Sequence, residues 1–291
     1  MSNPKGVDMK ITFQKMHGAK NDFVVFHDLE NIVLLSQSQV SRICDRRDGV
    51  GADGLIVVRQ SNSADFFMDY INSDGSAAEM CGNGIRCLAK YVYDNKLTQN
   101  RHIRIETRAG IKDVELLFDG LGQVTRARVN MGRPIFDPTQ IPVKVTVASS
   151  PVLDCPLDVG GQTFLCSFVS MGNPHCVIIY DKDDLEKAPS RYGKLIECHS
   201  MFPAKTNVEF VKLVDRSRVL MRVWERGSGE TLACGTGACA SAVITILKGL
   251  TNNTVAIELP GGTLDVNWKD INDSVLMTGD VDTVYIGNIT I

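Results

Sequence analysis

The stretch "AEMCGNGIRC", Ala78 to Cys87, returns in altered form as "LACGTGACA", Leu232 to Ala240, and the pair decides how the chain is read. Each copy places a cysteine before Gly-x-Gly, and each runs into a helical pattern. After the first, Ile85, Leu88, Ala89 and Val92 fall at i, i+3, i+4 and i+7, one face of a helix. After the second, "ACASAVITIL" is apolar nearly all round before Lys248 and Gly249 close it, the pattern of a helix buried on every side. Such a helix needs a wrapping.

The rest of the chain supplies it. Runs with alternation or β-branched enrichment, "GLIVV" from Gly54, "DFFMDYI" from Asp65, "HIRIETR" from His102 and "RVLMRVW" from Arg218, predict strands. Pro-Gly-Gly between "TVAIEL" and the alternating Leu264, Val266 and Trp268 predicts a hairpin. With few helices and abundant strands in both halves, each helix is expected inside its own curved sheet, in two domains of similar plan. A chain of 291 residues suits two domains of about 150 residues each. Turn-prone "FDGLGQ" followed by a fresh strand "RARVNM" puts the boundary near residues 120 to 130. The final "DTVYIGNITI" is one more strand, and pattern alone leaves open which domain it joins.

Composition narrows the function classes. Hydrophobic residues make up 44%, charged residues 22%, and the formal charge is -3, an ordinary soluble composition without a basic patch for nucleic acid. No stretch reaches the length of a membrane span, and residues 1–8 are short and polar without the apolar run of a signal peptide, so a cytoplasmic address is expected. Nine cysteines without framework spacing imply reduced thiols rather than a disulfide scaffold.

A cysteine at a loop-to-helix junction has its own chemistry. The helix dipole and unpaired amide N–H groups favour thiolate, which predicts a lowered thiol pKa and a usable base. Glycines let those N–H groups approach a carboxylate closely. Two such junctions facing one bound amino acid put two sulfurs on opposite sides of its α-carbon, the arrangement that inverting a stereocentre by proton transfer requires. The converging N–H groups then stabilise the charge that develops in the carboxylate. A lone cysteine at a helix start is more often structural, and a lone Gly-x-Gly is weak evidence. Both features, twice, favour function. Cys87 and Cys239 raise a competing four-cysteine zinc site, but they fall inside the expected helices rather than at the usual pair spacing. No metal and no cofactor, pyridoxal phosphate included, is expected.

At these residues the chain resembles the diaminopimelate epimerases. "MHGAKNDF" from Met16, "GVGADG" from Gly49, "NSDGSAAEMCGNGIRC" from Asn72, "MGNPHCV" from Met171, "KTNVEF" from Lys205 and "WERGSGETLACGTGAC" from Trp224 follow in the family's order over almost the whole chain. The resemblance implies pyridoxal-phosphate-independent epimerisation of LL-2,6-diaminopimelate to the meso isomer, in lysine and peptidoglycan precursor biosynthesis, with Cys81 and Cys234 as the acid-base pair. It implies that Gly82, Asn83, Gly235 and Thr236 hold the reacting carboxylate, and that Asn21, Asn72, Asn173, Asn207, Glu225 and Arg226 contact the substrate. Arg226 suits a carboxylate and Glu225 an ammonium group, against the plainer readings of a surface ion pair and of turn-forming asparagines. His175 is a supporting group that orients or polarises a thiol, with a structural histidine as the alternative, and His17 is structural.

The implied fold is α+β, two pseudo-symmetric domains, each a barrel-like, mostly antiparallel sheet around a central helix. Residues 1–126 with a returning strand at about 281–291 carry Cys81, and residues 127–280 carry Cys234. A homodimer follows from the resemblance alone. Gly54, where some members carry Gln, and Lys20, where many carry Gly, depart from the family pattern. The rival enzyme class is the proline and hydroxyproline racemases, which place His where this chain has Asn83. A zinc or thiol binding module is the rival outside enzymes.

Overall fold

The computed structural model describes residues 9–145 and 150–291; residues 1–8, read above as lacking a signal peptide, lie outside the described residues. The chain divides into two compact units, Met1–Ala127 with Val281–Ile291, and Arg128–Asp280.

In the first unit, strands β1 (Lys10–Gly18) and β2 (Asn21–His27) form a hairpin that pairs Gly18 with Asn21. Its turn residues Ala19 and Lys20 both take positive φ, 52° and 62°, the left-handed conformation that a two-residue hairpin turn demands. Helix α1 (Gln37–Cys44) follows, opened by a reciprocal capping box between Ser36 and Gln39. Strands β3 (Gly54–Arg59) and β4 (Phe66–Asn72) lead to helix α2 (Gly82–Asp94), then β5 (His102–Thr107) and β6 (Gly110–Phe118). β2 pairs parallel with β3, β3 antiparallel with β4, β4 parallel with β5 and β5 antiparallel with β6. The C-terminal strand Asp282–Thr290 returns to this unit and pairs antiparallel with β1, Lys10 opposite Thr290. Helix α2 contacts every strand from β1 to β6. Ile85, Leu88, Ala89 and Val92, the stripe expected from sequence, are all fully buried.

The chain enters the second unit along β7 (Val124–Gly132), then forms β8 (Cys155–Val159), β9 (Gln162–Ser170) and β10 (Pro174–Ile179). After two short helical turns comes α3 (Lys194–Glu197), followed by β11 (Asn207–Asp215), β12 (Arg218–Glu225) and β13 (Gly229–Thr231). Helix α4 (Gly235–Leu247) precedes β14 (Thr254–Leu259), β15 (Gly262–Asn267) and β16 (Val275–Asp280). β9 and β10 are antiparallel, β10 and β11 parallel, β11 and β12 antiparallel, β12 and β14 parallel, and β14 and β15 form the hairpin that Pro-Gly-Gly predicts, Leu259 opposite Gly262. This is the alternation of β1 to β6 repeated. In both units the central helix is inserted at the second parallel crossover. α4 touches β9 to β12 and β14 to β16, which is why its sequence is apolar all round.

Candidate active site

Cys81 and Cys234 hold the same local position. Each is the residue before the first turn of its unit's central helix, in extended conformation, φ -136° and ψ 118° at Cys81, φ -132° and ψ 109° at Cys234. Neither side chain caps its helix, so both sulfurs are left for other partners. The carbonyls of Cys81 and Cys234 accept from the N–H groups of Ile85 and Ala238 at 2.9 Å. The amides of Gly82, Asn83, Gly235 and Thr236 belong to the first helical turn, where N–H groups have no intrahelical acceptor.

In the first unit Cys81 is partly exposed and its S–H donates to Asn21 Oδ1 at 3.6 Å. Asn21 is oriented by Asp53, whose Oδ2 accepts from Asn21 Nδ2 and from the Asp22 N–H, both at 3.1 Å. Asp53 and Asp22 are bound by Arg46, and Asp22 also by Lys15 at 2.7 Å. Burial pushes the Asp22 carboxyl up, but Arg46 and Lys15 outweigh it and hold it well below the usual carboxylate range. The Asn83 side chain turns inward to accept from Arg86 Nη2 at 3.0 Å, while Arg86 Nη1 donates to the Gly82 carbonyl. Its side-chain oxygen is thus engaged within the fold, while its backbone amide lies in the first turn of α2. Asn72 donates to Ser76 Oγ at 3.0 Å at the start of the loop to Cys81. A Cβ at Gly54 would lie 2.6 Å from the Tyr70 ring and 2.8 Å from the Ile71 carbonyl, so a longer residue there requires β4 to give way.

In the second unit Cys234 is buried, with Sγ 3.6 Å from Thr236 Oγ1. Thr236 accepts from Asn173 Nδ2 at 3.3 Å, and Asn173 Oδ1 lies 2.9 Å from His175 Nε2. Asn173, His175, Thr236 and Cys234 are thus one connected group. The parallel pairing of β10 with β11 puts His175 beside Asn207. Asn207 donates to the Pro174 carbonyl at 2.8 Å and accepts from the Arg226 N–H at 2.9 Å, tying the β10 entry to the Glu225-Arg226 turn. Glu225 accepts from Thr231 at 2.5 Å, and Arg226 Nη1 reaches the Ala204 carbonyl.

One expectation is corrected here. The helix-end argument predicts a lowered thiol pKa, yet burial, and after it the Glu225 carboxylate, push the Cys234 thiol well above its ordinary value, against the weaker pull of Thr236 and the Gly237 N–H. The dipole is present, but a buried sulfur near a carboxylate is favoured as the neutral thiol.

Two acids escape the sequence reading. Glu197, with its side chain 1% exposed, accepts from Trp224 Nε1 and the Gly227 N–H, both at 3.0 Å, and pairs with Lys194, fixing both flanks of Glu225-Arg226. Glu209 lies 2.7 Å from His175 Nδ1 with both side chains fully buried. It stands inside the quoted "KTNVEF", and a glutamate flanked by Val208 and Phe210 in a strand is itself a signal of a buried partner. Cys87 and Cys239 are fully buried within α2 and α4, all nine cysteines are free thiols, and no metal-holding cluster of His, Cys, Asp or Glu occurs among the described residues.

Comparison with known proteins gives the family. The family model described as diaminopimelate epimerase matches residues 13–136 and 167–284. Diaminopimelate epimerase of Leptospira biflexa is 46% identical over 97% of this chain and 100% of the relative. That of Carboxydothermus hydrogenoformans is 48% identical over 94% and 98%. Among solved structures, a hydroxyproline epimerase from Agrobacterium vitis superposes with a TM-score of 0.67 over 97% of this chain and 91% of that one at 12% identity, a likeness of fold alone. With the family model covering most of the sequence and near-half identity along its whole length, the chain belongs to the diaminopimelate epimerase family.

Proposed function

We propose that the protein interconverts LL- and meso-2,6-diaminopimelate by two-base proton transfer, with Cys81 and Cys234 as the acid-base groups on opposite faces of the α-carbon and no cofactor. The observation that carries the reading is the matched pair of uncapped cysteines, each in the same extended conformation before a Gly-x-Gly helix start. One sulfur removes the α-proton while the other delivers a proton from the opposite face, and the two exchange roles in reverse. The first-turn amides of Gly82, Asn83, Gly235 and Thr236 bind the reacting carboxylate and stabilise its growing charge. Asn21, Asn72, Asn173, Glu225 and Arg226 bind the rest of the substrate. Asn207 serves chiefly by tying the Pro174 carbonyl to the Arg226 amide.

This chemistry belongs to lysine and peptidoglycan precursor synthesis in the cytoplasm, an address supported by the nine free thiols. Among the described residues no helix is long and apolar enough to cross a membrane. A homodimer is supported by Val284 and Ile286, exposed two residues apart on one face of the C-terminal strand; light scattering that reports a monomer at micromolar concentration rejects it. Incubation with LL-diaminopimelate in D2O, without pyridoxal phosphate, is expected to yield the meso isomer with deuterium at the inverted carbon, and Cys81→Ala or Cys234→Ala to abolish it. Absence of isomerisation and exchange sinks the assignment, and full activity in either variant removes that cysteine from the mechanism.

A further inference from the structure

The Cys234 half of the site contains a buried acid to which the two-base reading gives no task. Glu209 Oε1 is 2.7 Å from His175 Nδ1, and Oε2 is buried without a hydrogen-bond partner among the described residues. On the far side of the ring, Nε2 faces Asn173 Oδ1 at 2.9 Å. An amide oxygen only accepts, so Nε2 carries a hydrogen. Asn173 Nδ2 then donates to Thr236 Oγ1, which lies 3.6 Å from Cys234 Sγ.

The geometry points to Glu209 as a positioning residue: its carboxyl O–H donates to His175 Nδ1, locks the neutral ring in the tautomer with hydrogen on Nε2, and so aims Asn173 and Thr236 at the Cys234 sulfur. The inference rests on Cys234 being an acid-base group, and three observations support it. An ionised carboxylate with one oxygen orphaned in the core costs several kcal/mol, whereas a protonated acid leaves only a carbonyl lone pair unmatched. Burial pushes the Glu209 carboxyl up, only partly opposed by His175. Finally, a Cβ at Gly237 would sit 2.8 Å from Glu209 Oε1 and 3.3 Å from Cys234 Sγ, so glycine is what lets carboxyl and thiol share this space.

The consequence for turnover lies at Thr236. With Oγ1 held by the Asn173 N–H, the hydroxyl hydrogen is free to rotate. It accepts S–H from Cys234 as thiol and donates O–H to Cys234 as thiolate, following the proton in both directions of the reaction.

Two variants test this. Glu209→Gln replaces the O–H donor with an amide N–H, and Glu209→Met keeps the length without a donor. Expected is a kcat for Glu209→Gln within about two-fold of wild type and a loss of about ten-fold or more for Glu209→Met, with KM little changed in either, as for loss of an orienting partner. Nitrogen-15 NMR of His175 should show the neutral Nε2–H tautomer in wild type and Glu209→Gln, and a mixture in Glu209→Met. Loss in Glu209→Gln equal to that in Glu209→Met, or a doubly protonated ring in wild type, means the pair works as ions and overturns the assignment. So does wild-type kcat in Glu209→Met. If Glu209→Met fails to fold, Thr236→Val cuts the same chain at the hydroxyl and should lose kcat with the His175 tautomer unchanged; wild-type kcat there also overturns it. The NMR result needs no turnover, so a protein inactive on diaminopimelate would remove the proposed function while the Glu209 assignment is still judged.

Discussion

The second glycines of the two motifs, Gly84 and Gly237, occupy equivalent places but meet different neighbours, which makes Gly→Ala at each a test of how tightly each half is built. Alanine inside a helix is favoured over glycine by up to about 1 kcal/mol. At Gly84 the new methyl would lie 2.9 Å from Ile56 Cδ1 and Met68 Cε and 3.5 Å from Cys81 Cβ. The first two are ends of flexible side chains, methionine above all, and the third is an ordinary contact. Gly84→Ala is therefore expected within about 1 kcal/mol of wild type, with the Cys81 sulfur in place. At Gly237 the methyl would lie 2.8 Å from Glu209 Oε1 and 3.3 Å from both Glu209 Cγ and Cys234 Sγ.

Glu209 cannot swing away, because its side chain is fully enclosed and held to His175. Overpacking of this kind costs about 1–3 kcal/mol, so after the helix gain Gly237→Ala should lose about 0–2 kcal/mol. The larger effect is on turnover, where a displacement of a reacting group by about 1 Å costs up to about 100-fold. Urea denaturation at constant m gives the first quantity and the deuterium-incorporation assay the second. If Gly237→Ala turns over as fast as Gly84→Ala, the described packing of Glu209 against Cys234 is wrong.

Lys20 has φ 62° in the β1–β2 turn. Lys20→Gly relieves a left-handed penalty of about 1–2 kcal/mol at a glycine entropy cost of about 0.5–1, so the urea midpoint should stay or rise by the equivalent of up to about 1.5 kcal/mol; a clear fall removes turn strain as the significance of this departure. Burial raises the Cys44 thiol to about 11, and the Cys87, Cys176 and Cys234 thiols are also raised, burial again being the largest cause. These groups stay protonated in the fold while the unfolded chain ionises, so their contribution to stability is complete below about pH 8.5 and is lost as pH rises through the folded values. Unfolding free energy should fall between about pH 8.5 and 11, and iodoacetamide labelling of Cys234 should rise only above about pH 8.5, earlier in Glu225→Gln. A labelling midpoint at or below that pH contradicts the described surroundings of the sulfur.

What was legible in the sequence was whatever a short window encodes. The apolar stripe of α2, the all-round apolar α4, the alternating strands and the Pro-Gly-Gly hairpin are local patterns, and the structure has each of them. Helix α1 does not show in the sequence pattern although Ser36 and Gln39 spell its capping box, because eight residues with three buried side chains give too short a period to stand out. The partners of the site were legible only by resemblance. Glu209 is 34 positions from His175, and only the parallel pairing of β10 with β11 brings them together. The C-terminal strand joins β1 through a register that no pattern within it specifies.

The corrected thiol pKa has the same origin and sharpens the chemistry. A helix start can be seen in sequence, but the burial and the Glu225 carboxylate that oppose it at Cys234 come from strands packed around the helix, Glu225 itself from β12. The two motifs therefore share backbone geometry without sharing environment. Cys81 donates to the Asn21 amide oxygen, which can only accept. Cys234 meets the Thr236 hydroxyl, which can accept from a thiol or donate to a thiolate. In the proposed reaction one sulfur is thiolate while the other is thiol, and the two exchange those states in reverse. The two copies of the motif thus differ in what each sulfur meets, an amide oxygen at Cys81 and a hydroxyl at Cys234.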